Sequence, residues 1–415
     1  MDEPAAVVPA YLELGLAIGR HIEGLVDAYY GPPEIAKRCW AKPISPPAGL
    51  VADARHLLAA IDAGAPLDPR DHSAGGEHGS AHGSAESAGS PRRRWIRTQV
   101  VGLLTTARRL AGEEIEYADE VELCYGVPPR PIEWDEVAQA HRRLDEVLPG
   151  SGPVGDRFIE WREAHAVAPD KLLVAVSSLT DDLRERTRRM FGLPDGETVD
   201  FELVTDKPWA GFNTYLGGLR SRVDINIDLP VLSLSLANLV AHEAYPGHHT
   251  EHSRKEVGLV RRRKWLEESI FLVGTPQCLI AEGLADLALR VAMGPHHHPE
   301  VAAHLRPLAI RYDTEVAAQV ADANIVLQSA RATAAWRLHA QGADPEDVLS
   351  EFARWTLVPR ERAVKLVEFL THPTWRAYMT CYVEGYELCR RFVGDDPSRF
   401  SRLLSEQLLP ADLVV

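Results

Sequence analysis

The sequence predicts a mainly α-helical protein with a small β-sheet directly before a helix that carries His242 and Glu243. Two observations support this fold class. Apolar residues recur at helical spacing through most of the 415-residue chain. The exception is residues 197–228, where apolar and polar residues alternate and β-branched residues and Gly intervene, which is typical of short strands. An apolar content of 45% indicates a globular protein rather than a disordered one.

The chain divides into two regions by pattern. Residues 1–195 are predicted to be helical, because segments 9–63 and 93–190 carry apolar positions at helical spacing. Between these segments, residues 65–92 are mostly Gly, Ser, Ala and His with almost nothing to bury, which predicts a flexible surface loop. Residues 196–415 begin with the sheet and then continue as helices to the end. Since no internal repeat separates the regions, we expect one compact domain.

Composition excludes several classes of partner. The net charge of −15 argues against nucleic acid or an anionic membrane, because both require a basic surface. The short basic clusters at residues 92–94 and 261–264 are expected to be solvated helix faces. We expect no signal peptide, no membrane span and, from five scattered cysteines, no disulfide framework. Cytoplasmic residence is therefore the expected location, while the oligomeric state stays open.

The stretch HEAYPGHH, residues 242–249, indicates a metal site with unusual spacing. Zinc peptidases of the zincin type place two His four residues apart, but here Pro246 stands four residues after His242. A Pro ring clashes with the carbonyl four residues earlier, so a regular helix cannot continue through the motif. Gly247 can adopt positive φ, and together Pro and Gly predict a two-residue bulge. We therefore favour His242 and His248 as ligands.

His249 remains the alternative ligand. In an unbroken helix, His248 would lie about 120° around the axis from His242, whereas His249 would share its face but lie about 10 Å along. Neither position gives the usual chelate within one turn. If His248 binds the metal, His249 would support a ligand or donate a hydrogen bond to the substrate.

A third ligand is predicted in the stretch QCLIAEGLADLALR, where Glu282 interrupts an apolar helical run. A carboxylate there is costly to bury unless it is paired or binds a metal. Asp286 lies one turn later, and this spacing resembles that of the gluzincins, whose third ligand is a Glu. The resemblance implies that Asp286 accepts a hydrogen bond from a ligand His. Glu267 and Glu268 are rival ligands, but their strongly charged surroundings predict exposure.

The remaining candidate residues fit the same chemistry. Glu243 follows a ligand and would accept a proton from the attacking water and pass it to the leaving group. Tyr378 and Tyr382, on one predicted helix face with Tyr386, could stabilise an oxyanion, with Tyr382 favoured. An aromatic core stripe would explain the same spacing.

The sheet could contribute to substrate binding. The segment LRSRVDINID, residues 219–228, is placed to act as an edge strand that pairs with an extended substrate. Asn213 and Tyr215 could line the cleft. An ordinary structural sheet would account for these residues equally well.

Three motifs together resemble the bacterial family called domain of unknown function 885. They are HEAYPGHH, AEGLADLA and, near the C-terminus, YVEGYELC, and the resemblance covers residues 196–415. It implies a helical zincin-like metallopeptidase architecture, similar to helical zinc carboxypeptidases and oligopeptidases. The chain departs from the family at Leu284, where an aromatic residue often follows the Glu-Gly pair, and this puts the pocket shape in doubt.

The residues and the resemblance together predict a zinc-dependent hydrolase of amide bonds with one zinc per chain. Its substrate would be a short peptide or a small amide. One alternative is a metalloenzyme with other chemistry on a helical scaffold, because two His and one carboxylate also suit Fe(II). Another is a non-enzymatic protein with a structural metal.

Overall fold

The computed structural model describes residues 6–69, 89–207, 209–372 and 375–414. Most of the predicted loop at 65–92 lies outside these ranges. The helices are α1 Val7–Gly19, α2 Pro33–Ala41, α3 Pro47–Asp62, α4 Pro91–Leu110, α5 Tyr117–Tyr125, α6 Trp134–Val147, α7 Val154–Glu163, α8 Pro169–Phe191, α9 Ser233–Glu243, α10 His248–Lys255, α11 Pro276–Met293, α12 His298–Leu305, α13 Thr314–His339, α14 Pro345–Thr356, α15 Arg360–Thr371, α16 Tyr386–Val393 and α17 Pro397–Leu403. The strands are β1 Val26–Tyr29, β2 Thr198–Val204, β3 Gly211–Gly217, β4 Arg220–Asn226 and β5 Ile270–Leu272.

Local sequence explains where many helices begin. A Pro occupies the first turn of α2, α3, α4, α8, α11, α12, α14 and α17, where its missing N–H costs no hydrogen bond. Side chains accept hydrogen bonds from free N–H groups at the starts of α4, α13, α14 and α17, and the capping residues are Ser90, Asp313, Asp344 and Asp396. Within the described residues, no helix is both long enough and apolar enough to cross a membrane.

The predicted mainly α fold, with a small sheet before the His-Glu helix, is confirmed. The strand order is β2-β4-β3, with β2 parallel and β3 antiparallel to β4. The proposed edge strand at 219–228 was wrong, because β4 lies in the centre and its backbone is paired on both sides. The outer edge in this region belongs to β3, whose first residue, Gly211, lies beside α9.

A second sheet was missed by the sequence analysis. Strand β1 pairs antiparallel with β5, although segment 9–63 and the chain after Pro230 were both predicted to be helical. These strands have four and three residues, and their partners are separated by more than 200 positions, so no local pattern marks them. Asp27 is unpaired at a register shift between Val26 and Ala28, which makes it the extra residue of a bulge.

Helix α11 lies at the centre of the molecule. It contributes Cys278, Leu279 and Ala281 to one apolar core and Ile280 and Leu284 to a second, while α4 packs against it from the N-terminal region. A helix that is apolar all around must be buried on all sides. The single buried acid in this helix among the described residues is Glu282.

The two regions of the chain are also joined by a buried ion pair that the sequence analysis assigned to the surface. The guanidinium of Arg92 donates two hydrogen bonds to Glu267, at 2.6 and 2.8 Å, and the side chains are 6% and 0% exposed. Arg92, Arg93, Glu267 and Glu268 are buried, so the predicted exposure was wrong for these four residues, whereas Arg94 and residues 261–264 are exposed as predicted. Each buried group has partners far along the chain that its local sequence does not show, such as Glu267 for Arg92.

We expect Arg92→Met to lower the free energy of unfolding by about 3–5 kcal/mol, because it leaves a fully buried carboxylate without its cation. Arg97→Met is the matched control on the same helix, since Arg97 pairs with Asp62 at the surface, and its loss should cost less than about 1 kcal/mol. Urea unfolding of both variants measures the difference. Equal costs would show that the buried pair contributes no more than a surface pair.

Candidate metal centre

Pro246 and Gly247 separate the two helices that carry the candidate His ligands. Helix α9 ends at Glu243 and α10 begins at His248. The expectation of positive φ at Gly247 was wrong, because its φ is −78°. Glycine is required there for space: a Cβ would lie 1.9 Å from the carbonyl oxygen of His242. The tight reversal lets α10 start against the end of α9.

This reversal brings three candidate ligand atoms together. The Nε2 atoms of His242 and His248 are 3.2 Å apart, and they lie 3.5 and 3.6 Å from the two carboxylate oxygens of Glu282. Ligand atoms bound at about 2.0–2.1 Å in a tetrahedron lie about 3.3–3.4 Å apart. The three residues therefore fit one zinc ion with a fourth position left open.

The hydrogen bonds around these residues orient the candidate ligand atoms. Asp286 accepts a hydrogen bond from Nδ1 of His242 at 2.9 Å, so the Nε2 edge of the His242 ring faces the cluster. Glu282 accepts a hydrogen bond from Tyr378 on Oε1, while its buried Oε2 has no partner. A buried carboxylate oxygen without a donor is costly, and a cation between the three residues would remove that cost.

The two imidazoles have opposite pKa shifts. Burial lowers the pKa of His242, but the hydrogen bond to Asp286 and the proximity of Glu282 outweigh it and raise the pKa well above its usual value. Burial, together with the charges of His242 and His252, lowers the pKa of His248 well below its usual value. His248 is therefore held neutral, the form in which imidazole binds a metal.

His249 points away from this cluster into a separate buried network. Its Nδ1 lies 2.8 Å from the hydroxyl of Ser221, and its Nε2 lies 3.1 Å from Glu197. Glu197 also accepts hydrogen bonds from Tyr245 and Arg184. Both ring nitrogens are used and the side chain is 0% exposed, so the alternative assignment of His249 as a ligand or substrate donor does not match this geometry.

Glu243 lies next to the cluster without being part of it. Burial raises the pKa of its carboxyl to about 7, and the nearby Glu282 adds to this shift while His242 opposes it. Asn213 donates a hydrogen bond to the backbone carbonyl of Glu243 at 2.6 Å. A Cβ at Gly211 would lie 3.2 Å from the carboxylate, so the start of β3 passes directly beside this group.

Two of the three C-terminal tyrosines reach the site. The hydroxyl of Tyr378 donates to Glu282 at 2.8 Å, and that of Tyr382 donates to Tyr378 at 3.2 Å. Tyr386 instead packs against the apolar core that contains Leu284. The predicted continuous helix is interrupted, because residues 381–385 form a π-helical turn.

Two expectations about the pocket were wrong. Tyr215 is 3% exposed and donates its hydroxyl to Glu256 at 2.5 Å, so it does not line a cleft. Asn213 is also buried and supports the backbone of Glu243 instead of facing substrate. Leu284, where the chain departs from the family it resembles, is fully buried in an apolar core.

A contact between two glycines positions Glu282 against the tyrosines. A Cβ on Gly283 would lie 2.1 Å from the carbonyl oxygen of Gly385, and one on Gly385 would lie 2.4 Å from that of Leu279. The backbones of α11 and the π-helical turn therefore touch. This contact explains why the Glu-Gly pair and the YxxG step occur together.

The sequence analysis missed two charged residues near the site. Burial and the charges of Glu282 and Glu243 raise the pKa of Asp27 to about 8, so this carboxyl lies within electrostatic range of both acids. Arg331, on α13, lies within electrostatic range of Tyr382 and Asp286. No motif marks either residue, because Asp27 lies on a four-residue strand and Arg331 on a long helix with an unremarkable pattern.

Comparisons with known proteins leave the chemistry open. No family model and no curated protein matches the sequence. A candidate lipoprotein from Colwellia psychrerythraea has a similar structure, with a TM-score of 0.53 and 17% identity over 88% of this chain and 65% of that chain. A candidate lipoprotein of unknown function from Shewanella oneidensis aligns with a TM-score of 0.47 and 12% identity over 91% and 75% of the two chains.

This chain therefore spans just under two thirds of the length of the Colwellia protein. At such low identity the first similarity shows the fold alone. The resemblance to the family called domain of unknown function 885 stays a prediction.

We expect Gly283→Ala to lower the free energy of unfolding by about 3 kcal/mol, since the added methyl group must push two backbones apart. Movement of Glu282 away from Tyr378 should weaken zinc binding as well. Gly258→Ala is the matched control, because a Cβ at that helical glycine would meet nothing within 4 Å. Thermal unfolding and zinc content measure both effects, and a Gly283→Ala variant as stable as the control would contradict the close contact.

Zinc content distinguishes His248 from His249. After zinc loading and dialysis, elemental analysis should find about one zinc per chain in the wild type and close to none in His242→Ala, His248→Ala or Glu282→Ala. His249→Gln should retain the metal, although it breaks a buried hydrogen bond and lowers the melting temperature. Retention of zinc by His248→Ala with loss in His249→Gln would reverse the assignment.

Proposed function

We propose that the protein is a zinc-dependent hydrolase of amide bonds that acts on short peptides. The observation that carries this proposal is the set of three candidate ligand atoms with tetrahedral spacing beside the buried carboxyl of Glu243. A structural site would use four protein ligands, whereas His242, His248 and Glu282 leave one position open, as catalytic sites do. Glu243, which lies within electrostatic range of His242 and Glu282, would act on a water molecule at that position.

The donor set favours zinc. Imidazole nitrogen and carboxylate oxygen are common zinc ligands, and a bound zinc ion would polarise the substrate carbonyl and lower the pKa of a water molecule toward 7. Fe(II) accepts the same donors, and the metal content of the purified protein separates the two. Asp286 would keep the imidazole of His242 in the orientation and tautomer that binding needs.

Glu243 would transfer the proton during hydrolysis. As the oxygen of water forms a bond with the carbonyl carbon, the carboxylate of Glu243 accepts the proton that this oxygen releases. The same proton then passes to the nitrogen as the C–N bond breaks, so that the products are a carboxylic acid and an amine. Its backbone is held by Asn213, which limits movement of the carboxylate relative to the ligands.

The two tyrosines would have different roles in the reaction. Tyr378 donates to Glu282 and so orients a ligand. The hydroxyl of Tyr382 has a phenol as its acceptor, a weaker partner than a developing oxyanion. Tyr382 would therefore turn its hydrogen bond to the substrate oxygen during the reaction.

Strand β3 favours a peptide over other amides. Its outer edge has no partner strand in the three-stranded sheet, and Gly211 at its start lies next to the carboxylate of Glu243. An extended peptide could form main-chain hydrogen bonds with this edge and bring a peptide bond to the site. The cytoplasmic location, and the absence of nucleic-acid and membrane partners, stay predictions from the sequence.

We expect Glu243→Gln to reduce the rate of peptide cleavage by about 10²–10⁴-fold, because glutamine cannot accept the proton, while zinc content stays at the wild-type level. Cleavage of a mixed peptide library, followed by mass spectrometry, measures the effect. Glu300→Gln on the exposed side of α12 controls for the loss of one negative charge.

A Glu243→Gln variant that cleaves peptides as fast as the wild type would remove Glu243 from the mechanism. A zinc-loaded wild type that cleaves no member of the library would favour a structural metal or another reaction.

A further inference from the structure

Three arginines on α7, α13 and α15 have no acidic partner among the described residues. They are Arg162 at the end of α7, Arg331 in α13 and Arg362 at the start of α15, and each is partly buried. Within the described ranges, none of their guanidinium groups forms an ion pair or a hydrogen bond. Other arginines in the same helices do have partners: Arg157 binds Asp145 and Arg337 binds Glu351.

Arg162 lies within electrostatic range of both Arg331 and Arg362. Burial, and then the charges of Arg362 and Arg331, lower the pKa of Arg162 to about 10. Burial also lowers the pKa of Arg331 and that of Arg362. Like charges gathered in a partly desolvated place destabilise the fold unless an anion joins them. The protein has a net charge of −15, yet no described acid fills this place.

Arg331 connects this cluster to the candidate metal centre. Its Nε is buried and has no hydrogen-bond partner. Helix α13 packs against the π-helical turn that carries Tyr382, and the phenol of Tyr382 and the carboxylate of Asp286 lie within electrostatic range of the guanidinium. Asp286 itself is engaged by His242, so it is not the missing partner. The Nε–H group of Arg331 therefore lies beside the site without a hydrogen-bond acceptor among the described residues.

The site thus has two electrostatically different sides. Glu243, Glu282 and Asp27 lie within range of one another on the side formed by α9, α11 and β1. The arginines come from α7, α13 and α15. A substrate that bridges these sides would present its amide bond to the acids and an anion to the arginines. Peptides have such an anion at their C-terminus, and the planar guanidinium fork matches a carboxylate.

We propose that Arg331 binds the C-terminal carboxylate of a peptide substrate, with Arg162 and Arg362 supplying the surrounding positive charge. This inference rests on the proposed function, and it specifies the substrate class: peptides with a free C-terminus, cleaved near that end. A peptide whose C-terminus is an amide would leave the guanidinium unpaired and would bind poorly.

The test measures binding to the full-length, zinc-loaded Glu243→Gln protein, which should not turn substrate over. The probes are N-acetyl-trialanine with a free carboxylate and the same peptide as its C-terminal amide, and calorimetry measures both affinities. We expect the acid to bind about 100-fold more tightly than the amide. Equal affinities, or binding of neither peptide, would overturn the inference without any further substitution.

Substitutions then assign the preference to Arg331. Adding Arg331→Gln should reduce the affinity for the acid to that for the amide, and it should leave the affinity for the amide unchanged. Arg337→Gln, which removes a charge from the same helix, is the matched control and should keep the full preference. Arg331→Lys provides a second variant if Arg331→Gln folds poorly, because it retains the positive charge without the planar guanidinium group. It should bind the acid with intermediate affinity. A preference that survives in every Arg331 variant would place the carboxylate elsewhere.

The two proposals fail in different ways. If the wild type cleaves peptides with a free carboxylate and peptides with a C-terminal amide equally well, the result would support the hydrolase and contradict the carboxylate site. If the protein cleaves no peptide but binds the free carboxylate more tightly than the amide, and this preference depends on Arg331, the result would support the carboxylate site and contradict the hydrolase.

Discussion

The contact between Gly283 and Gly385 is the constraint on which the rest of the site depends. With no side chain on either residue, helix α11 and the π-helical turn at residues 381–385 meet backbone to backbone. Glu282 is next to one glycine and Tyr382 is three residues before the other, so this contact determines the distance between carboxylate and phenols. Because α11 is also buried between two apolar cores, a shift at this point would disturb both.

Burial of so many polar groups is the energetic cost of this arrangement. Glu243, Glu282 and two imidazoles are largely removed from water, and one oxygen of Glu282 has no donor. Such groups are stable only when each charge meets a partner. Asp286, on the same helix as Glu282, and Tyr378, in the turn that precedes residues 381–385, supply part of that compensation, and a divalent cation would supply the rest. The two pKa shifts follow from these surroundings: against the effect of burial, Asp286 and Glu282 raise the pKa of His242, whereas burial and the adjacent charge of His242 lower that of His248.

The charged groups around the candidate site belong to elements far apart in the chain. The bulge at Asp27 comes from the N-terminal region, and Arg331 comes from the long helix α13. Neither group belongs to the set of three candidate ligands. The short motifs around His242 and Glu282 therefore supply the candidate ligands, while a distant helix and a short strand supply charges around them.

The sequence by itself determined the mainly helical fold, the sheet at 197–228 and the choice of His242, Glu243 and Glu282, because periodicity and short-range spacing express these features directly. Only the tertiary structure shows that His248, and not His249, lies beside His242 and Glu282, since the bulge geometry depends on where the carbonyl of His242 meets Gly247. Tertiary contacts also decided that the clusters containing Arg92 and Glu267 are buried, that β4 is central, and that Asp27 and Arg331 lie near the site. The physical reason is the same in each case: these outcomes depend on a partner more than 20 residues away, or on the shape of a tight turn, and local composition encodes neither.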